Sequence, residues 1–190
     1  KSPSPGGGTK FIEYITIQSL GNSQDFGSLI NDGFGTDAAL SSSTRGVMAQ
    51  QTANTNAGVT NFIEYVTIPS LGDSIDFGDL SVSRGAPGGT SNSIRGVFAG
   101  GRTQQTPAIS TSNVIDYITI ATLGNAIDYG DLNYTVDGLP GGICGSPIRG
   151  VIAGGSSPAV NNIISYVTIS STGNALDFGD LTKVREFIGT

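Results

Sequence analysis

Asn113-Val114-Ile115-Asp116-Tyr117-Ile118-Thr119-Ile120, continued by Gly124-Asn125-Ala126-Ile127-Asp128-Tyr129-Gly130-Asp131-Leu132, is the stretch whose reading decides the fold. The same phrase begins again at Phe11, Phe62 and Ile163, and its tyrosine stands at Tyr14, Tyr65, Tyr117 and Tyr166. A step of roughly fifty residues is the mark of a repeat architecture, in which one supersecondary unit is built several times and stacked. Within each copy the apolar residues alternate or run together over five to eight positions, as strands require, with no helical period. On Phe11–Ile17 one face carries Phe11, Glu13, Ile15 and Ile17 and the other Ile12, Tyr14 and Thr16. Both faces are largely apolar, so the tyrosine strand is expected to be covered on both sides, as in stacked sheets.

A Gly-Asn or Gly-Asp turn follows each tyrosine strand and reads as the bend of a hairpin. Beyond it come Asp25-Phe26-Gly27-Ser28-Leu29, Asp76-Phe77-Gly78-Asp79-Leu80, Asp128-Tyr129-Gly130-Asp131-Leu132 and Asp177-Phe178-Gly179-Asp180-Leu181. The repeat cores are therefore 11–29, 62–80, 114–132 and 163–181. Residues 30–43, 81–93 and 133–147 are rich in Gly, Ser, Asp and Pro, and are expected to hold one weak strand plus exposed loops. Each leads to a shared phrase at Arg45-Gly46-Val47, Arg95-Gly96-Val97 or Arg149-Gly150-Val151. About four short strands per unit is the plan of a β-propeller blade. The expectation is an all-β, β-propeller-like single repeat domain over 1–190, with three complete blades and a closing or partial one. Segments 1–10 and 182–190 would complete that last blade between them, although the fourth unit so joined, 163–190 with 1–10, is shorter than the step of roughly fifty residues.

Composition agrees with strands and narrows the function. There are 29 Gly, 8 Pro, no Trp and no His, and only 13% of residues are charged. Glycine at this level without a Gly-X-Y period implies many tight turns rather than collagen. The net charge of −6 and the scattering of the nine basic residues leave no cluster to displace phosphate counterions, so no nucleic-acid partner is expected. No apolar run reaches the roughly 20 residues of a membrane helix, and no membrane insertion is expected. The start, Lys1-Ser2-Pro3-Ser4-Pro5, has neither an initiator Met nor the apolar core of a signal peptide, as in a processed or excerpted chain. The lone Cys144 fixes no redox compartment.

The glycine pair after a short apolar strand (Gly100-Gly101, Gly154-Gly155), the arginine soon after a leucine (Arg84, Arg185) and the downstream tyrosine resemble a degenerate kelch repeat. The tryptophan of kelch repeats is replaced by Phe26, Phe77, Tyr129 or Phe178, further along the unit. The tyrosine phrase and the Arg-Gly-Val phrase together resemble tandem repeats in virion proteins of tailed phages, marine cyanophages in particular. That resemblance covers nearly the whole chain. It implies a component of the extracellular particle, tail- or capsid-associated, and brings no catalytic residues with it.

Three sets of recurring side chains are candidates for sites. Asp25, Asp76, Asp128 and Asp177, with Asp79, Asp131 and Asp180, have the oxygens that Ca²⁺ wants, but a feature present in every unit reads as turn capping or pairing with an arginine. Arg45, Arg95 and Arg149 could ring an anion channel; the plainer reading is a bidentate pair with an aspartate of the same blade. Tyr14, Tyr65, Tyr117 and Tyr166 could stack on sugars, and their place within apolar strands reads as core. Without histidine no Ser-His-Asp arrangement exists, and Cys144 reads as a small strand residue. No enzyme, cofactor or metal is expected. Binding is expected in loops 103–112 and 133–142, with other virion proteins, copies of the chain itself, or a host surface glycan or protein as partners. The alternative reading is a carbohydrate-binding, lectin-like propeller.

Overall fold

The computed structural model describes residues 9–52, 59–104, 108, 110–137, 143–156 and 159–186. Among these the regular structure is entirely strand: β1 Thr9–Tyr14, β2 Gln24–Ser41, β3 Arg45–Thr52, β4 Thr60–Thr67, β5 Ile75–Arg84, β6 Gly88–Ser91, β7 Arg95–Ala99, β8 Arg102–Gln104, β9 Ser110–Thr119, β10 Ile127–Val136, β11 Ile143–Gly145, β12 Arg149–Ala153, β13 Ile163–Thr168 and β14 Leu176–Asp180. All pairings are antiparallel. Each repeat is a four-stranded meander: the end of β2 with β3, β4 and β5; then β6, β7, β9 and β10; then β11, β12, β13 and β14. Before them stands a leading hairpin of β1 and the start of β2.

The expected tyrosine and Arg-Gly-Val strands form where the alternation places them, as β1, β4, β9 and β13 and as β3, β7 and β12. The stretches expected to hold one weak strand plus exposed loops do hold that strand, as the end of β2, β6 and β11, but they are strand at their start as well. Residues 30–41 continue β2 without a break, 81–84 end β5, and 133–136 end β10. Val136 is fully buried. The polar composition of these stretches hid a strand that spans two layers: Gln24–Ser28 of β2 pairs with β1, while Ala38–Ser41 pairs with β3. In the next unit the same course is broken between β5 and β6, where Ala86 takes a positive φ of 51° and Pro87 has no N–H to give a ladder.

Period-two alternation sends successive residues of one strand into two different cores. Phe98 joins Val47, Tyr65, Phe77, Leu80, Ile118 and Ile120 between the first and second meanders. Its neighbours Val97 and Ala99 join Tyr129, Leu132, Ile152, Val167 and Ile169 between the second and third. The middle meander is thus covered on both faces, as expected. The first tyrosine strand is not: β1 stops at Tyr14, and Ile15 and Ile17 are 64% and 89% exposed. Their counterparts Ile118 and Ile120, with a meander to pack against, are buried.

The closed ring expected from the sequence is not formed by the described residues. No hydrogen bond joins β1 or the start of β2 to β11–β14 among them. β14 pairs with β13 alone. Thr9 and Lys10 are taken up by β1, and Arg185 bonds back to Asn161 and Gly155 of its own unit, so the described part of neither segment supplies a strand to the other. The rest of the closing segments, 1–8 and 187–190, lies outside the described residues. What the structure shows is a row of antiparallel sheets, each stacked on its neighbours in sequence.

The layers approach most closely at one glycine per unit. Gly78 and Gly130 have φ of +141° and +140°. A Cβ on Gly78 would lie 2.5 Å from the Gly124 carbonyl group, and one on Gly130 would lie 2.6 Å from the Gly173 carbonyl carbon. Backbone strain and overlap with a rigid main chain act together there. Gly130→Ala should cost about 2–4 kcal/mol in denaturant unfolding, whereas Gly21→Ala, with nothing within 4 Å of its Cβ position, should be close to neutral.

Candidate functional site: the seam between repeats

The seam is made by the Gly-Asx turn of one unit laid on the last strand of the unit before it. Gly72 N donates to the Phe26 carbonyl (2.8 Å) and Ser74 N to the Ser28 carbonyl (2.9 Å). The pattern repeats from Gly124 to Phe77 (2.9 Å) and Ala126 to Asp79 (2.7 Å), and from Gly173 to Tyr129 and Ala175 to Asp131 (both 2.8 Å). In return the turn's Asx side chain accepts a backbone N–H: Asp73 from Ser28 (2.8 Å), Asn125 from Asp79 (3.1 Å) and Asn174 from Asp131 (3.0 Å). The Gly-Asx pair, read in the sequence as a turn, is also the docking element between layers.

Behind each turn lies a buried polar residue that sequence reasoning missed. Glu64, 1% exposed, accepts from Ile30 N (3.0 Å), from Ser74 Oγ (2.6 Å) and from the Asn31 amide (3.4 Å). Asp116, fully buried, accepts from Ser81 N (3.2 Å) and Ser81 Oγ (2.6 Å) and forms an ion pair with Arg84 Nη2 at 2.6 Å. Arg84 Nη1 also donates to the Val114 carbonyl (2.7 Å). Burial lowers the Arg84 pKa from its ordinary value, and the facing Asp116 opposes that shift. At the third seam neutral Ser165 donates instead to Asn133 (2.7 Å). The signal was available: a carboxylate precedes the tyrosine in three of four copies, at Glu13, Glu64 and Asp116, inside strands otherwise apolar.

The four tyrosines meet the aromatic of the following strand edge to face: Tyr14 with Phe26, Tyr65 with Phe77, Tyr117 with Tyr129 and Tyr166 with Phe178, at centroid distances of 6.1, 5.9, 6.2 and 6.0 Å. Of these only Tyr65 is buried; Tyr14, Tyr117 and Tyr166 are half-buried. The arginines do not pair with aspartates of their own unit, as had been expected. Arg45, Arg95 and Arg149 lie over the rings of Tyr65, Tyr117 and Tyr166 at 4.7, 4.2 and 4.6 Å. Arg45 and Arg95 reach onward to the Ile120 and Ile169 carbonyls of the next unit, at 2.8 and 3.1 Å. The register explains this: Val47 faces Tyr65 while Met48 faces Glu64, so Arg45 shares the tyrosine's face and Asp76, opposite Glu64, lies on the other.

Asp25, Asp76, Asp128 and Asp177 are exposed. Among the described residues no group of three potential ligands is close enough together to hold a metal ion. Asp76 and Asp79 border an open groove of about 200 Å³ with Ile30, Asn31, Phe62 and Glu64. Of the candidate loops, residues 103–104 belong to β8, 110–112 to β9 and 133–136 to β10. The remainder, apart from Ala108 and Asp137, lies outside the described residues. Cys144 is an exposed residue of β11.

Two variants probe this seam. Asp116→Ala would leave Arg84 charged and buried without its partner, at a cost of about 3–5 kcal/mol in equilibrium unfolding. Tyr134, whose hydroxyl donates to the Gly154 carbonyl (3.2 Å), has its pKa raised by burial to about 12. The unfolded phenol ionises first, near pH 10, so the stability Tyr134 contributes is intact below that pH and is lost as pH rises toward 12. Tyr134→Phe should flatten the fall in stability over that window, measured by denaturation at a series of pH values.

A comparison with known proteins found no family model and no curated protein that matches this chain.

Proposed function

We propose that this chain is a non-enzymatic structural and interaction protein, a repeat scaffold of a tailed-phage particle, tail- or capsid-associated. The observation that carries the scaffold reading is the seam itself. The turns, the buried acids Glu64 and Asp116 and the arginines Arg45 and Arg95, all at recurring positions, hold one layer on the next. What supports the phage particle as its setting is the resemblance of the tyrosine and Arg-Gly-Val phrases to virion tandem repeats. Each meander has the four-strand plan of a propeller blade, and we read the chain as an open row of kelch-like blades. Its loop tips carry contact with other particle proteins or with the host surface, since variable loops on a rigid frame are where recognition sits.

One observation favours a second reading, a carbohydrate-binding module. The groove at the first seam sets Phe62, 43% exposed, beside Asp76, Asp79 and Asn31, an aromatic face with hydrogen-bonding groups around it. The two readings separate experimentally. Mass spectrometry of purified virions should find the peptide sequence in the particle, and its absence there would remove the phage assignment. A glycan array should show no binding if the groove serves only packing. Binding that Phe62→Ala abolishes would favour the lectin.

A further inference from the structure

The seam has two complementary sides, and among the described residues one copy of each has no partner, at opposite ends of the row. On the side that receives a turn, Phe178 is 55% exposed where Phe77 and Tyr129 are 2% and 3%. Gly179 has the φ of Gly78 and Gly130, +136°, yet nothing lies within 4 Å of its Cβ position. At those other two glycines the next unit's turn fills the space. Arg149 sits over Tyr166 as Arg45 and Arg95 sit over Tyr65 and Tyr117, with no onward carbonyl of a following unit among the described residues. On the side that supplies a turn, Gly21-Asn22-Ser23 is exposed. Ser23 Oγ already donates to Glu13 (3.0 Å), as Ser74 does to Glu64. Glu13 is nonetheless exposed, while Glu64 and Asp116 are buried.

We infer that the leading hairpin of one copy of this chain docks on β14 of a second copy, continuing the seam from molecule to molecule. The partners follow from the internal seams. Gly21 N and Ser23 N donate to the carbonyls of Phe178 and Asp180, Asn22 Oδ1 accepts from Asp180 N, and Arg149 reaches the Ile17 carbonyl. Arg185 stands from Phe178 as Arg84 stands from Phe77, and it pairs with Glu13 as Arg84 pairs with Asp116. The exposed Ile15 and Ile17 take the places of Ile118 and Ile120 against the open aromatic face. The turn, the acid and both isoleucines lie within the two strands of the hairpin and the turn that joins them, so the supplying side needs no further strand. A heterologous contact of this kind adds copies in a row. It stands apart from the phage assignment, since it uses only the repeat geometry.

Sedimentation velocity of the 190-residue chain tests this. Mass should grow with concentration beyond the dimer, in a series. Glu13→Arg blocks the supplying side and Phe178→Asp the receiving side. Each variant alone should sediment as a monomer and still unfold cooperatively, because both residues are exposed. Mixed, the two should form a 1:1 dimer and stop. Adding Arg185→Glu to the Glu13→Arg chain should restore growth, which a merely misfolded variant could not do. A wild-type chain that stays monomeric at every concentration, including one that closes on itself, overturns the inference. So do single variants that still assemble, or a charge swap that fails to recover association.

Discussion

Everything in this molecule depends on two backbone amides and one Asx side chain per layer. A strand on the open side of a sheet has N–H and C=O groups that must find partners once a neighbouring layer excludes water. Here the Gly-Asx turn satisfies them: Gly124 and Ala126 donate to the carbonyls of Phe77 and Asp79, and the Asn125 side chain takes the Asp79 N–H. The turn can come so close only because Gly78 has no side chain. The contact is directional and fixes the stagger of successive sheets, which the apolar cores between them, being non-directional, could not do.

Behind that contact the three internal seams solve one problem in three ways. Each buries a polar residue just before the tyrosine. Glu64 is stabilised by neutral donors, Asp116 by a guanidinium as well as a serine, and Ser165 needs only a single amide oxygen. A buried ion pair is weak evidence for net stability, because desolvation offsets most of the attraction. The Arg84–Asp116 pair is better understood as a registry device: a layer slipped by one residue would leave two charges buried and unmatched. Ser165 shows that the position before the tyrosine can be filled at a seam without a buried acid.

Much of the architecture was legible in the sequence, and the reasons are local. The tyrosine strands, the Arg-Gly-Val strands and the hairpin turns follow from alternation and from glycine spacing, and all appear where the repeats put them. The rest depended on contacts between units, which one repeat cannot reveal. In residues 30–41 the polar side chains show only a weak strand; that the strand runs unbroken comes from pairing first with β1 and then with β3. The arginines were assigned to aspartates on charge alone, whereas strand register places them on the tyrosine's face. Ring closure was inferred from the similarity of the terminal segments to repeat fragments, and that similarity says nothing about whether the two ends meet.

β2 has a mechanical consequence. Because Gln24–Ser41 is one uninterrupted strand serving the leading hairpin and the first meander, neither can come apart without disturbing the other, and the two should open as one cooperative block. The joint to the second meander is built differently. Between the first and second meanders the chain bends at Gly85-Ala86-Pro87, and there the continuous ladder gives way to a single bridge, Gly85 with Arg102. Under a pulling force the chain should therefore yield at this joint before the leading hairpin and the first meander part, and those two should hold as a single rigid link.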